Sequence, residues 1–394
     1  MRGFELSRLP KIVFGDGSIQ RLAEILSPIG SRCLLVTGGK SWATAQWWQP
    51  LIDSLDQAGL SWIQVTVSGE PSPDLIDEIV SKYRNHNIDV VVGIGGGSAM
   101  DAAKAVAGLL NIGDSVMDYL EGVGPEKAYR GPAVPFVAVP TTAGTGSEAT
   151  KNAVLSRIGE KGFKKSFRDE QLMARVAIVD PGLLASCPRS VIAANGMDAL
   201  TQLIESYVSL RQNPLCNALA EQAIRCTRDG LIALYDSDGD NPEARSNMAF
   251  ASLVSGINLA QTGLGSVHGL ASPLGAFFPI PHGVACGSLL SDATRLNIEA
   301  MQQREPDSPF LERYQKVAQM LCGTHFPDRQ SAFSGLFATL EKWTRQLAIP
   351  RLSEYGVMAV DIPRLVANIS PSSMRTNPVE LTDDELYQLV LGRL

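Results

Sequence analysis

Short apolar runs alternate with segments of helical periodicity through the first half of the chain. The runs predict strands at Lys11–Phe14, Arg32–Thr37, Trp62–Val67, Asp89–Gly95, Phe136–Val139 and Val176–Val179. Between several of them, as in 75–84 and 102–110, apolar residues recur at helical spacing. Nearly continuous β-branched runs that alternate with helices are typical of a parallel sheet covered on both faces. The first half therefore predicts an α/β domain.

The pattern changes after residue 181. From about residue 191 onward, Ala, Leu, Met, Gln, Glu and Arg recur at three- and four-residue spacing, which predicts helices. Glycines and prolines break this spacing between Gly269 and Pro281, where we expect an interruption. We predict an α/β domain over 1–185 and an all-α domain over 186–394. No long Gly/Ser/Pro linker separates them, so we expect a tight interface, which is where a ligand cleft is most often found.

Composition and charge narrow the class of protein. The 394 residues are 45% hydrophobic and 19% charged, which is a globular composition. The net charge is −7 and there is no Lys/Arg block, which argues against a nucleic-acid or polybasic membrane-surface partner. The six cysteines form no C-x-x-C pair, and no long apolar run of membrane-spanning length occurs. We therefore expect a cytoplasmic protein with no membrane or nucleic-acid partner.

A glycine-rich turn follows the strand Asp89–Gly95. Gly95, Gly96 and Gly97 lead into Ser98 and a helical segment. Consecutive glycines let backbone N–H groups approach an anion, and Ser98 as N-cap would direct the positive end of the helix toward it. We predict a pyrophosphate site. A tight turn without a ligand is the alternative, because Ser98 replaces the third glycine of the G-x-G-x-x-G pattern.

A second polar loop follows the strand Phe136–Val139. Its sequence is Pro140-Thr-Thr-Ala-Gly-Thr-Gly-Ser-Glu148. Small hydroxyl residues at the carboxyl end of a parallel strand suit a polar ligand above the sheet, whereas an ordinary Ser/Thr turn is the alternative. Two such loops in one sheet favour the ligand site.

The helical half contains residue types that bind metals. Asp198 and Gln202 are four residues apart, so they lie on one face of a helix. His268 and His282 are two of only four histidines, and each precedes a glycine. One carboxylate with two imidazoles suits Zn²⁺ or Fe²⁺ and leaves a position for a substrate oxygen. Satisfied core histidines are the alternative.

Taken together, these motifs resemble the iron-containing (group III) alcohol dehydrogenase family. The resemblance extends from Phe14-Gly-Asp-Gly17 to Gly287. It implies a Rossmann-like α/β domain followed by an all-α metal domain, an architecture shared with dehydroquinate synthase. It also implies an NAD(P)-linked dehydrogenase or reductase of a small primary alcohol or aldehyde. Because the family is usually dimeric or larger, a homodimer or larger homo-oligomer is expected.

The resemblance assigns roles to particular residues. Asp198, His268 and His282 would ligate iron or zinc, with Gln202 as a weak fourth ligand. Lys164 stands where the family has a lysine that contacts the cofactor, and an exposed charge is the alternative interpretation. The predicted cofactor-binding residues are Gly38, Gly39, Lys40, Ser41, Gly95, Gly96, Gly97, Ser98, Asp101, Thr141, Thr142, Thr145 and Lys164.

Two positions depart from the family pattern. Gln202 occupies the place of a histidine ligand, so the site would use three strong protein ligands. Ser272 stands where the family often has a further histidine near the substrate and the nicotinamide. The Ser272 hydroxyl, a water or the ribose hydroxyl would then have to relay the proton. We therefore predict Asp198, His268, His282 and Ser272 as the catalytic residues.

The end of the second strand bears on the choice of cofactor. Related NAD-specific enzymes have a carboxylate there, whereas this chain has Thr37-Gly-Gly-Lys-Ser41. Gly38 leaves room for a 2′-phosphate, which Lys40 or Ser41 would bind. We predict NADPH, or the use of both NADPH and NADH. The basic run from Lys151 to Arg168 suggests a substrate with an anionic group, although a solvated segment is the favoured explanation.

Other functions stay open. Gln202 and Ser272 suggest a metal-independent reductase resembling maleylacetate reductases, and the architecture is shared with a lyase, dehydroquinate synthase. A non-catalytic NAD(P)-binding module is the third. Activity after chelation identifies the metal-independent reductase, net consumption of NAD(P)H with aldehydes excludes the lyase, and cofactor binding without turnover marks the module.

Overall fold

The computed structural model describes residues 3–39 and 41–394, and for Ser41 it describes the backbone alone. The chain divides into two compact units. One consists of Ser7–Arg157 and Lys164–Cys187, and the other of residues 3–6, Ile158–Phe163 and Pro188–Leu394. The predicted order of an α/β part followed by a helical part is confirmed. Within the described ranges, no helix is both long and apolar enough to cross a bilayer.

The first unit is built on a six-stranded parallel sheet. Its strands are β1 (Lys11–Phe14), β2 (Arg32–Gly38), β3 (Ser61–Val67), β4 (Val90–Gly95), β5 (Phe136–Pro140) and β8 (Val176–Val179), in the order β1-β8-β5-β4-β2-β3. A separate two-stranded sheet pairs β6 (Asn152–Arg157) with β7 (Phe163–Arg168). The helices are α1 (Leu22–Leu26), α2 (Trp48–Gln57), α3 (Pro73–Tyr83) and α4 (Gly97–Leu109). Each predicted strand is present, and its ends lie within one residue of the prediction.

The alternation of β4 side chains fixes the two faces of the sheet. Val90, Val92 and Ile94 belong to one hydrophobic cluster with Leu22 and Leu26 of α1. On the other face, Gly93 allows α4 to approach closely, since a Cβ at this position would lie 3.0 Å from Ala103 Cβ. This packing holds the N-terminus of α4 at the carboxyl edge of the sheet.

The strands β6 and β7 were not predicted, and the sequence of β7 looks like a solvated segment. It carries Lys164, Lys165 and Arg168 among six residues. In the structure two of these cations have carboxylate partners: Lys164 Nζ lies 2.6 Å from Glu70 Oε1, and Arg168 Nε lies 3.4 Å from Glu121 Oε1. Charge pairing therefore lets a mostly polar segment form a strand.

The second unit is helical. Its helices are α5 (Arg189–Tyr207), α6 (Pro214–Asp236), α7 (Pro242–Thr262), α8 (Ser266–Phe277), α9 (His282–Arg304), α10 (Pro309–Cys322), α11 (Arg329–Gln346), α12 (Ile362–Ala367), α13 (Pro371–Met374) and α14 (Asp383–Leu391).

The predicted interruption from Gly269 to Pro281 is wrong over most of its length. Helix α8 continues through Pro273, and only residues 278–281 are non-helical. Proline has no N–H to donate to the carbonyl four residues earlier, which belongs to Gly269. That carbonyl instead accepts the Ser370 N–H at 3.0 Å. The lost helical hydrogen bond is thus replaced by one from a later segment.

Candidate metal centre and cofactor loops

Three helices of the second unit bring the predicted metal ligands together. Asp198 lies in the middle of α5, His268 in the first turn of α8, and His282 at the start of α9. Asp198 Oδ1 lies 3.3 Å from His268 Nε2 and 3.9 Å from His282 Nε2. Gln202 is buried one turn after Asp198 on α5, and Ser272 is half-buried one turn after His268 on α8.

Two glycines of α9 allow this convergence. A Cβ on Gly283 would lie 2.4 Å from the carbonyl oxygen of Ala194, and a Cβ on Gly287 would lie 2.8 Å from Met197 Cβ. Any side chain at either position would therefore push α9 away from α5. The glycine after His282 thus explains how His282 comes close to Asp198.

A fourth ligand-type side chain, Cys286, lies in the same cluster, and sequence reasoning missed it. Its Sγ is 3.7 Å from His268 Nε2 and 3.8 Å from His282 Nε2. The ligand atoms of Asp198, His268, His282 and Cys286 all lie within 4.8 Å of one another. The signal was available in the spacing, since Cys286 follows His282 by four residues, as Gln202 follows Asp198.

Glu205 supports His268 from behind the cluster. His268 Nδ1 donates to Glu205 Oε2 at 2.6 Å, and Glu205 Oε1 accepts the Val267 N–H at 2.7 Å. A carboxylate on one ring nitrogen fixes the tautomer that presents the other nitrogen as a ligand. Nε2 of His268, which faces Asp198, is therefore the ring nitrogen that a metal would take. Sequence reasoning did not identify Glu205.

The electrostatics of the cluster suit a cation. Burial raises the pKa of Asp198, but the neighbouring His282 and His268 outweigh it and lower this pKa to about 2. Both carboxylate oxygens of Asp198 are buried, and no described group donates either of them a hydrogen bond of normal geometry. A buried anion without donors is costly unless a positive charge satisfies it. Burial raises the pKa of the Cys286 thiol to about 12. The oxygen, nitrogen and sulfur donors fit zinc or iron.

The two polar loops of the first unit lie side by side at the carboxyl edge of its sheet. Gly95 adopts a φ of 155°, and a Cβ there would lie 3.0 Å from the backbone nitrogen of Gly38. A Cβ on Gly96 would lie 3.1 Å from Thr142 Oγ1, and one on Gly97 would lie 2.9 Å from Thr145 Oγ1. The Thr141 N–H donates to the Gly95 carbonyl at 2.9 Å. The glycine and threonine motifs thus form one surface of backbone amides and hydroxyls.

The start of α4 differs from the prediction. Gly96 is the N-cap and the helix begins at Gly97, so Ser98 lies in the first turn and is not the cap. An extended glycine fills the cap position without a side-chain hydrogen bond, which leaves the first backbone N–H groups available to an anion. Gly39 has a φ of 50°. Lys40 and the side chain of Ser41 lie outside the described residues.

Asp101 belongs to a buried cluster that ties the second loop to α4. Lys104 Nζ donates to Ser147 Oγ at 2.6 Å, to Thr150 Oγ1 at 2.9 Å and to Asp101 Oδ1 at 3.2 Å. Ser147 Oγ in turn donates to Asp101 Oδ1 at 2.6 Å. Lys104 is fully buried, and sequence reasoning did not identify it. This cluster holds the threonine loop in place.

The basic residues near β7 have carboxylate partners inside the protein. Lys164 Nζ lies 2.6 Å from both oxygens of Glu70, and its side chain is only 9% exposed, so it is not a solvated charge. Lys151 pairs with Glu170. These pairs compensate Lys151 and Lys164, two of the cations that suggested an anionic substrate.

Comparison with known proteins places the chain in a family. The family description "Iron-containing alcohol dehydrogenase" matches residues 10–181, and "Fe-containing alcohol dehydrogenase family, C-terminal" matches residues 192–392. The chain is 31% identical over 385 residues to alcohol dehydrogenase 4 of Saccharomyces cerevisiae, covering 97% of this chain and 96% of that protein. It is 32% identical over 386 residues to lactaldehyde reductase of Escherichia coli, covering 95% and 96%.

A solved structure agrees with these matches along the whole chain. Sulfoacetaldehyde reductase from Bifidobacterium kashiwanohense in complex with NAD⁺ superimposes with a TM-score of 0.85 at 30% identity, covering 100% of this chain and 99% of that one. The predicted fold and the predicted resemblance are confirmed. This chain belongs to the iron-containing alcohol dehydrogenase family.

Proposed function

We propose that this protein is a metal-dependent, NAD(P)-linked dehydrogenase that interconverts small primary alcohols and aldehydes. The observation that carries the proposal is the convergence of Asp198, His268 and His282 around buried carboxylate oxygens that no described group satisfies. The names of the relatives favour alcohol and aldehyde oxidoreduction over the lyase and the non-catalytic module. A metal-independent reductase does not explain why these donors are gathered.

Asp198, His268 and His282 would hold the divalent cation, iron or zinc. When bound, the cation supplies Lewis-acid polarisation of the substrate oxygen. Asp198 contributes the negative charge of the site, and Glu205 fixes the ring of His268. Ser272 lies one turn after His268 on α8, and we assign its hydroxyl to the movement of the substrate proton.

The first unit would bind the dinucleotide. The α4 N-terminus and the glycines at 95–97 offer backbone N–H groups to the pyrophosphate, and Ser98, Thr141, Thr142 and Thr145 add hydroxyls near it. Asp101 shapes this site through the Lys104 cluster, and Lys164 is oriented by Glu70. Gly38 and Gly39 leave the ribose side without a carboxylate, which supports NADPH or dual use, with Lys40 and Ser41 as phosphate ligands.

A cytoplasmic location and a homodimer or larger homo-oligomer complete the proposal. The six cysteines are free, which fits a reducing compartment. Strand β1 lies at the edge of the sheet, and its residues Ile12 and Phe14 are 38% and 42% exposed. An apolar sheet edge is a surface that a second copy of the chain would cover.

The test is oxidation of NADPH and NADH with a panel of short aldehydes by wild-type protein and by Asp198→Asn. We expect turnover that a chelator abolishes and that Zn²⁺ or Fe²⁺ restores, with kcat/KM higher for NADPH or similar for both cofactors. Asp198→Asn should lose metal and at least about 100-fold in kcat. Turnover that survives complete metal removal would overturn metal dependence, and a strong NADH preference would overturn the cofactor assignment.

A further inference from the structure

The centre contains two residues that compete for the role of fourth protein ligand, Gln202 and Cys286. Gln202 offers a neutral amide oxygen, which is a weak donor for zinc or Fe²⁺. Cys286 offers a sulfur that becomes anionic on binding, and thiolates are among the strongest zinc ligands in proteins. The chemistry of the two groups therefore favours Cys286.

The distances around Cys286 match those of a tetrahedral centre. A cation at ~2.1 Å from nitrogen and ~2.3 Å from sulfur separates the two ligand atoms by about 3.6 Å, and two lighter donors by about 3.3 Å. Cys286 Sγ lies 3.7 Å from His268 Nε2 and 3.8 Å from His282 Nε2. Asp198 Oδ1 lies 3.3 Å from His268 Nε2. These separations agree with one cation that touches the sulfur, both imidazoles and the carboxylate, although Asp198 Oδ1 and His282 Nε2, 3.9 Å apart, would have to move closer on binding.

The backbone places Cys286 on the side of α9 that faces α5. His282 and Cys286 are one turn apart on α9, and Gly283 and Gly287 follow them at the close contact with α5. Cys286 is fully buried. The same packing that brings His282 to Asp198 therefore brings the thiol there as well. A second, independent feature points to a cation at this place: the buried oxygens of Asp198 accept no hydrogen bond of normal geometry from a described group.

We propose that the Cys286 sulfur is the fourth protein ligand of the metal, in place of Gln202. This inference rests on the proposed metal-dependent function and specifies its ligand set as Asp198, His268, His282 and Cys286. On binding, the metal–sulfur bond forms as the thiol proton passes to the buffer. The side chain of His282 is 23% exposed, against 7% for His268 and 1% for Asp198, so substrate would approach as a fifth ligand from the His282 side.

X-ray absorption at the zinc edge tests this inference on the wild-type protein. One sulfur at about 2.3 Å from the zinc is the expected result. Absorption spectra of the cobalt-loaded protein give a second measurement, since a thiolate ligand produces an intense near-ultraviolet charge-transfer band. We expect the band in wild-type protein and in Gln202→Ala, and its loss in Cys286→Ser together with at least about 100-fold weaker zinc binding.

Cys216→Ser is the matched control. Cys216 is buried in the same unit, and its Sγ accepts a hydrogen bond from Asn213 Nδ2 at 3.2 Å, away from the metal ligands. This variant should keep the band and the zinc affinity.

The outcomes separate this inference from the proposed function. One metal per chain with only nitrogen and oxygen neighbours overturns Cys286 as a ligand, and metal-dependent turnover would still stand. No metal uptake by the wild-type protein overturns both. The wild-type spectra decide by themselves whether sulfur is a ligand. The inference therefore stays testable even if Cys286→Ser does not fold.

Discussion

Glu205 bears on the metal centre through the imidazole of His268. Its oxygens accept hydrogen bonds from His268 Nδ1 at 2.6 Å and from the Val267 N–H at 2.7 Å. The carboxylate charge of Glu205 orients the ring of His268 and increases the basicity of its Nε2. Glu205→Gln removes this charge. We expect zinc affinity, measured by competition with a chromophoric chelator, to fall about 10- to 100-fold while the circular dichroism spectrum stays unchanged.

Glu221→Gln is the control for this prediction. Glu221 Oε1 accepts a hydrogen bond from Tyr207 OH at 2.8 Å in the same unit, but it does not touch a ligand. Its zinc affinity should equal that of wild type. If Glu205→Gln also binds zinc as wild type does, Glu205 is not a positioning residue.

Glu148 predicts a pH dependence of stability in the first unit. It is 3% exposed, and burial raises its pKa from 4.5 to about 7, which Lys104 only partly offsets. The folded state therefore keeps a proton that the unfolded chain releases between pH 4.5 and 7, so stability falls as pH rises through this window. Relative to Glu148→Gln, which carries no such proton, wild type should lose on the order of 3 kcal/mol between pH 5 and pH 8. Urea unfolding of both proteins across this range measures the difference, and parallel profiles would contradict it.

Sequence reasoning identified some residues of the proposed metal centre and missed others. His268 and His282 stand out because histidines are rare in this chain and each of these two precedes a glycine, and Asp198 stands out through its place in the family motif. A cysteine in an apolar segment and a glutamate inside a helix have no such mark, because both are common in ordinary cores and faces. Cys286 and Glu205 are identified only when α5, α8 and α9 are placed together.

At the scale of elements, the contact of α5 with α9 depends on Gly283. A Cβ there would lie 2.4 Å from the carbonyl oxygen of Ala194, and a backbone atom cannot move aside as a side chain does. We expect Gly283→Ala to destabilise the protein by about 1–3 kcal/mol in spite of alanine's better helix propensity, and to weaken zinc binding by displacing His282. Thermal unfolding and chelator competition measure the two effects.

Gly392→Ala controls for the addition of a methyl group to a glycine with helical backbone angles, since Gly392 is the C-cap of α14. Its φ is −61° and its Cβ would meet the Gln388 carbonyl oxygen at 3.5 Å, which is an ordinary contact. This variant should change stability by less than about 0.5 kcal/mol. Equal behaviour of the two variants would show that the close approach at Gly283 does not matter.

Elements were predictable where one local pattern decided the structure. The central strands β4 and β5 are short apolar runs that end at glycine or proline, and their complete burial follows directly from that pattern. Strand β7 depends on pairing with β6 and on ion pairs with distant carboxylates. Helix α8 passes Pro273 because Ser370 supplies the missing donor, more than ninety residues later. A short stretch of sequence does not show these distant partners, so such elements cannot be predicted from it.

At the scale of the whole molecule, the change of periodicity near residue 181 predicted the order of the two parts. The two kinds of chemistry follow this division. The proposed metal ligands all belong to the unit that contains Pro188–Leu394, and the glycine and threonine loops to the unit that contains Ser7–Arg157. Metal content and dinucleotide binding can therefore be measured as separate properties.

Strand β1 leaves one edge of the parallel sheet exposed, and a second copy of the chain would cover it. Strand β1 pairs with β8 on one side, and no described strand pairs with its other side. Leu9, Ile12 and Phe14 are 38–42% exposed along this edge. A monomer with an apolar sheet edge tends to associate, whereas charge on that edge prevents pairing.

We expect wild type to have twice the 42.2 kDa mass of the chain, or a larger multiple, in light scattering coupled to size exclusion. Ile12→Lys with Phe14→Lys should give a 42.2 kDa particle that still binds one zinc, because β1 contributes no metal ligand. A double variant that stays dimeric would place the subunit contact elsewhere. A wild-type protein that elutes as a monomer would contradict assembly altogether.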